Sequence, residues 1–378
     1  MLVTIGIVAA AILLQLCFGI EYDPPETYIP RPKNYDGDFK VLQQEFEQKL
    51  DGVTRTYYVA IEELVWNYTA TSDDISEDNP AYFWTNKSPT NIGSLYYKAV
   101  YCEYTDETFT ERKLRPRWQG LMGPVLRAEV GDTIQVYLWN KASHDFSMHP
   151  HGVFYEFDME GAVYQGATEP VRPGENYTYT WQVPPRAGPG PNDDHSLVWG
   201  YHSHVTENDI FAGLFGSIII YRRGQLTQSA IANEVVTALF AINENLSPYM
   251  SKTMEQVANH VNQQEIRKNR HAIQRFKQSN IKQTINGFIL GHPADLILPV
   301  NEITTWHLLG WGSYNDMQLV SWENAKVTLF NTPISQVRLM PATFKTVQVI
   351  PQEAGTGRFG YLKGEQGLHG MSMYYTAH

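Results

Sequence analysis

Two short triplets carry the chemistry this sequence could do, His149-Pro150-His151 and His202-Ser203-His204. Along a β-strand the side chains of residues i and i+2 point to one face, so each triplet aims two imidazoles at one spot. If the two segments are neighbouring strands, four ring nitrogens meet on one wall. Neutral imidazole is a good ligand for copper, zinc, iron and nickel, and with no thiolate nearby the choice leans to copper or zinc. A single His-x-His is weak evidence, because histidines often fill polar edges. Here there are two, one followed by Gly152 and the other preceded by Trp199-Gly200-Tyr201. Together they favour a metal site over two unrelated surface pairs. His144, His260, His271, His292 and His307 stand alone and read as structural or surface residues.

Strands must hold these rings, and the chain is rich in strand patterns. Period-two runs of β-branched and aromatic residues fall at 57–66, 95–101, 125–130, 133–139, 147–156, 176–183, 196–203 and 214–221. Gly, Pro and Asn turns separate them, which describes an all-β sandwich or barrel over 54–226. A second set follows at 233–242, 283–290, 302–309, 325–330, 345–350, 357–362 and 371–376, giving a second β-domain over 233–378. Met254, Val257 and Val261 recur at helical spacing inside a Gln-, Lys- and Arg-rich stretch, which predicts a helical insert at 252–280. The two domains join near 224–232.

Length supports the same division, since 378 residues suggest about two domains. Hydrophobic content of 43% with 18% charged residues fits a chain with real cores. A net charge of -11 argues against nucleic acid or an anionic membrane surface as partner. Residues 1–18 carry no charge, and the small residues Cys17 and Gly19 precede a polar chain that begins at Glu21. This reads as a secretory signal over 1–19, with a retained N-terminal anchor as the other reading. An N-terminal extension over 20–53 follows, with Phe39, Leu42, Phe46 and Leu50 at helical spacing. Loss of Cys17 with the signal leaves Cys102 alone, without an intramolecular disulfide partner. Four glycosylation sequons, at Asn67, Asn86, Asn176 and Asn245, agree with a secreted, extracellular protein.

Several ordered motifs resemble a known family. Arg55-Thr56-Tyr57-Tyr58-Val59-Ala60-Ile61-Glu62-Glu63, Gly120-Leu121-Met122-Gly123-Pro124-Val125, His149-Pro150-His151-Gly152-Val153, Glu160-Gly161-Ala162, Pro173-Gly174-Glu175 and Tyr201-His202-Ser203-His204 resemble the first cupredoxin domain of ceruloplasmin and hephaestin. The clotting cofactors V and VIII share this domain type. Ile285-Asn286-Gly287-Phe288, Pro341-Ala342-Thr343-Phe344 and Gly370-Met371 resemble the next domain more faintly. The resemblance implies a multicopper oxidase fold: two cupredoxin-like (plastocyanin-like) Greek-key domains. It implies His149 as a type 2 copper ligand, and His151, His202 and His204 as ligands of a type 3 pair. In that family these form half of a three-copper cluster that reduces O₂. It also implies a calcium site in the region of Asp158, Glu160, Glu169, Asp193 and Asp194, for which a solvated loop is the other reading.

The sequence departs from the family in its second half. A blue copper needs two histidines and a cysteine with a weak axial ligand, and no cysteine follows Cys102. Met371 stands where the axial ligand would be and reads, with His369, as packing. Asp316-Met317-Gln318-Leu319 stands where an early histidine is expected after Gly312. The cysteines that brace such domains are replaced by Ser196 and Tyr221. The reading is therefore a secreted, copper-binding, ferroxidase-related protein with half of a trinuclear site at His149, His151, His202 and His204. A second chain, or domains outside this sequence, would have to complete the cluster for catalysis. The alternative is a non-catalytic extracellular interaction module like the clotting-factor domains. Phosphate loops, nucleophile elbows and zinc-protease motifs are absent, so kinase and hydrolase readings have no support.

Overall fold

Burial alternates along residues 133–140, where Ile134, Val136 and Leu138 point inward and Tyr137 outward, the signature of a strand with one face on a core. In this computed structural model, residues 51–72, 75–164, 167–312, 317–362 and 369–378 are described, together with Lys40 and Gln44. The signal at 1–19 and nearly all of the extension helix lie outside them. Eight strands come first: β1 (Thr54–Asn67), β2 (Leu95–Tyr104), β3 (Val125–Glu129), β4 (Thr133–Asn140), β5 (His149–Pro150), β6 (Asn176–Gln182), β7 (Ser196–His202) and β8 (Phe215–Tyr221). They form two sheets, ordered β2-β1-β4-β6 and β3-β8-β7-β5. Between the sheets lies a core that includes Ile61, Ile134, Val136, Leu138, Trp181, Ile218 and Ile220. The pairs β1–β4 and β3–β8 are parallel, so the chain crosses between sheets instead of meandering.

The second half repeats this plan. Its strands are β9 (Glu234–Asn243), β10 (Ile281–Ile285), β11 (Ile297–Leu298), β12 (Thr304–Gly310), β13 (Gln318–Trp322), β14 (Ala325–Leu329), β15 (Thr332–Ile334), β16 (Val337–Leu339), β17 (Thr343–Pro351), β18 (Gly355–Gly360) and β19 (Ser372–Ala377). The sheets run β10-β9-β12-β17-β14-β15 and β11-β19-β18-β13-β16. Parallel pairing of β9 with β12 echoes that of β1 with β4. The fold is all-β, built of cupredoxin-like sandwiches.

Every residue of β8 is buried, because one face meets its own core and the other meets the second sandwich. Phe215 and Phe240 pack edge to face with centroids 4.9 Å apart, in a cluster that also holds Ile219, Trp306 and Phe359. Polar groups then fix the register of the two halves. Lys98 of β2 pairs with Glu244 at 2.7 Å, and both side chains are almost wholly buried. Lys98 also donates to the Phe211 carbonyl at 2.5 Å, and Tyr68 donates to Glu244. Further along, Arg127 of β3 meets Glu234 of β9 at 2.6 Å, with Tyr221 donating to the same carboxylate. Burial would raise the Glu234 carboxyl, but His307, Arg127 and Tyr221 around it hold it down at about 2.

Ser196 and Tyr221 face each other across the β7–β8 ladder, where the family resemblance implies a disulfide. Tyr221 uses that place to reach Glu234, so a bond between sandwiches stands where a bond within one was implied. Cys102 is a free thiol in β2, its pKa raised by burial, and is chemically quiet. Met371 is fully buried, and His369 packs on Trp84 at 4.1 Å, as packing residues would.

Three expectations change. The strand expected at 147–156 shrinks to His149–Pro150, because Pro150 has no N–H for the ladder and the backbone turns at Gly152. The helical insert breaks into Met250–Gln256, Gln263–Ile266 and Arg270–Ser279, since Asn262 and Asn269 accept backbone N–H bonds and restart the helix. Strands β11, β13, β15 and β16 are additional.

The buried ion pair yields a test. Glu244→Gln leaves the Lys98 ammonium buried without a counter-charge and is expected to cost about 3–5 kcal/mol in urea unfolding. Lys98→Met combined with Glu244→Leu is expected to cost much less. Equal losses for the single and double variants would mean that the pair does not act as a unit.

Candidate metal centre

β5 and β7 are antiparallel with His149 directly opposite His202 and Pro150 opposite Tyr201. One ladder therefore brings the two triplets together. The His149 ring lies 5.5 Å from His202, 5.1 Å from His151 and 5.1 Å from His204, centroid to centroid. His151 stacks near His202 at 5.3 Å, and His202 lies 5.4 Å from His204. All four sequence-predicted rings converge. One ring nitrogen from each of His149, His151 and His202 lies within 4.8 Å of the other two. Bonds of about 2.0–2.1 Å to one ion place ligand nitrogens roughly 3.5 Å apart, so modest side-chain rotation closes the gap. His204 is exposed and marks the open side of the group.

Hydrogen bonds set the tautomers. His149 Nδ1 is 2.7 Å from the Glu160 carbonyl, and His202 Nδ1 is 2.8 Å from the Ser203 carbonyl. A carbonyl oxygen only accepts, so both Nδ1 atoms carry the proton and both Nε2 lone pairs are left for a ligand. His151 Nε2 is buried without any hydrogen-bond partner, an orphan that a metal ion would satisfy. Gly161, at φ 72°, lets the loop pass close enough for this: a Cβ there would lie 2.1 Å from the Met148 carbonyl oxygen.

A layer of serines braces the triplets from behind. Ser147 N donates to Ser203 Oγ at 3.0 Å, and His204 N donates to Ser147 Oγ at 2.9 Å. Ser203 Oγ donates to Asp209 at 2.6 Å, and Asp209 also accepts from the backbone of Val205 and Thr206. Sequence reasoning missed Asp209; the Thr206-x-x-Asp209 spacing ahead of a short helix was the available signal. It also missed Trp311 and Phe344, which come from the second sandwich and pack on the imidazoles.

The acidic residues between the triplets do not gather. Glu169 pairs with Arg172, Asp193 accepts from Gly190 N, and Asp194 accepts from Gln348. Among the described residues, the group competent to hold a metal is the histidine group, and the calcium expectation finds no support.

Burial pulls the pKa of His149 below the usual 6.5, that of His151 down to about 4 and that of His202 down to about 3, with the neighbouring imidazoles adding to the effect. At neutral pH these rings are uncharged and free to ligate.

Two sandwiches of this topology, with paired His-x-His triplets at a sheet edge, define a protein of cupredoxin-like fold. Comparison with known proteins agrees. Residues 118–225 match the family model described as multicopper oxidase. The chain is 36% identical over 322 residues to mouse (Mus musculus) Ferroxidase HEPHL1, covering 80% of this chain and 27% of that protein. It is 33% identical over 345 residues to mouse hephaestin, covering 86% and 29%. With human (Homo sapiens) ceruloplasmin it shares 32% over 314 residues, covering 79% and 29%. The chain thus spans less than a third of the length of these relatives. Among solved structures it is similar in fold to a copper nitrite reductase from Nitrosomonas europaea, with a TM-score of 0.55 at 14% identity over 86% of this chain and 94% of that one. Residues 118–225 are a multicopper oxidase domain, and the chain is a homologue of hephaestin, HEPHL1 and ceruloplasmin.

The lowered pKa values make a prediction for metal-free protein. Between the folded values and 6.5, the unfolded chain binds protons that the native rings refuse, so stability is full above pH 6.5 and is lost as pH falls toward about 4. Each ring contributes up to about 1.4 kcal/mol per pH unit. Urea unfolding at pH 5 and pH 7 should show this slope, and His202→Gln should reduce it. A variant slope as steep as that of the parent would mean that the ring protonates freely in the fold.

Proposed function

We propose that this protein binds copper through His149, His151 and His202, with His204 on the open side, and that it is a ferroxidase-related chain whose own residues do not complete an oxidase. The observation that carries the proposal is the convergence of imidazoles whose Nε2 atoms are unused, with the His151 atom buried and unpartnered. An all-nitrogen donor set without thiolate suits copper or zinc, and descent from multicopper oxidases favours copper. Bound there, copper supplies Lewis acidity and one-electron chemistry. The chain's own contribution is to hold neutral rings in fixed tautomers, to brace them through Ser147, Ser203 and Asp209, and to keep water from one side.

The incomplete part of an oxidase lies in the second sandwich. No cysteine follows Cys102, so a blue copper has no thiolate. Among the described residues, the groups packed on the imidazoles from that side are the aromatic rings of Trp311 and Phe344. Oxidation of iron(II) would need ligands from a second chain or from further domains. The proposal includes export from the cell, supported by the uncharged apolar stretch at residues 1–18. Among the described residues, no helix is long and apolar enough to cross a membrane.

The test is to load purified protein with copper, dialyse against a weak chelator and measure metal by elemental analysis alongside iron(II) oxidation. Retained copper with background oxidation is the expected result. His151→Ala combined with His202→Ala should release the metal, and Asp209→Ala, which loosens the support without touching the ring nitrogens, should weaken affinity about 10–100-fold. Copper-free protein after loading would sink the proposal and leave a structural module.

A further inference from the structure

Building on the copper reading, we propose that Trp311 and Phe344 help make this a one-copper site: the chain's own second sandwich covers one flank of the histidine rings with side chains that offer no ligand atom. Trp311 directly follows β12. Its indole lies 5.3 Å from the His202 ring and 5.8 Å from the His151 ring, and is almost wholly buried. Phe344 of β17 lies 5.6 Å from His151 and 5.2 Å from Trp311. The two aromatics and the two imidazoles thus form one packed group across the junction of the sandwiches.

The supply of ligand atoms decides the consequence. Among the described residues, the ring nitrogens that come within 4.8 Å of one another belong to His149, His151 and His202, a set that serves one ion. A cluster of several ions needs more. At 5.3 Å between centroids the indole packs against the His202 ring, and it offers no ligand atom on that flank. Nor is the indole free to withdraw. Trp311 N donates to the Leu239 carbonyl at 3.1 Å, tying its backbone to β9. Behind the imidazoles, β7 has been cleared to receive it: a Cβ on Gly200 would lie 2.3 Å from Trp311 Cζ2 and 2.9 Å from Phe344 Cζ.

The same packing leaves His151 Nε2 and Trp311 Nε1 both buried without hydrogen-bond partners. The imidazole atom can be satisfied by one ion held with His149 and His202. The indole N–H cannot ligate, and it keeps that side apolar and closed. Exchange of the ion is left to the side where His204 is exposed. Trp311 is a positioning residue: it limits how many ions the histidines hold without contributing a ligand atom.

The experiment uses the full chain titrated with Cu²⁺, reading copper per chain, electron paramagnetic resonance, tryptophan fluorescence and sedimentation. The expected result is one copper per chain, wholly visible by paramagnetic resonance as an isolated ion, at every protein concentration. Fluorescence should be quenched on loading. Trp311→Phe should keep the one-to-one stoichiometry and lose at least half of the quench, because it removes the nearest indole while preserving an aromatic cover. Two or more coppers per chain, a magnetically silent fraction, or uptake that appears only when chains associate would overturn the inference while leaving copper binding intact. So would an undiminished quench in Trp311→Phe. Absence of copper from the parent protein would instead remove the reading on which the inference rests.

Discussion

The antiparallel register that sets His149 against His202 is the constraint from which the site follows. β5 is only two residues long, yet its pairing sets His149 opposite His202; just beyond the strand ends the serine brace holds His204, and His151 N donates to the Gly200 carbonyl. A slip of one residue would turn each of these side chains to the opposite face. The register is therefore worth protecting, and the chain protects it with buried polar contacts as well as with the ladder. Asp209, 4% exposed, gathers a serine hydroxyl and two backbone amides behind the rings. Such a layer holds ligands in place before any ion arrives, which lowers the ordering cost of binding.

The two sandwiches are joined by more than apolar area. The shared cluster around Phe215, Phe240 and Trp306 supplies non-directional attraction. The Lys98–Glu244 and Arg127–Glu234 pairs supply geometry, because a buried charge tolerates few positions of its partner. That fixed geometry is what presses Trp311 and Phe344 against the imidazoles. The surroundings of the histidine group thus come from both halves, although the histidines come from one.

Much of this was legible in the sequence, for reasons that differ by element. Alternation along β4 and the Tyr- and Ile-rich runs of β1 and β8 are local signals, and they locate the strands well. The His-x-His spacing is local too, so the four rings could be named from it. What escaped was non-local. Trp311 lies 109 positions beyond His202, and no spacing rule connects a tryptophan at the end of a strand with a histidine in another sandwich. Lys98 and Glu244 each look like surface residues in their own segments, and only the tertiary fold brings them together in the interior. Short strands such as β15 and β16 have too few residues for a period to emerge. In the 147–156 run the apolar pattern suggested a strand that Pro150 cannot extend.

The presence of Ser196 and Tyr221 where the resemblance implies a cystine has an environmental meaning. A disulfide is opened by thiolate attack, so thiols that convert copper(II) to copper(I) can also exchange with such a staple. Here the phenol of Tyr221 reaches across to Glu234, and the described thiol, Cys102, is unpaired. Among the described residues, the framework around the histidines therefore offers a thiol no disulfide to exchange with. On the copper reading, a change of valence at the histidines would involve no disulfide of the described framework.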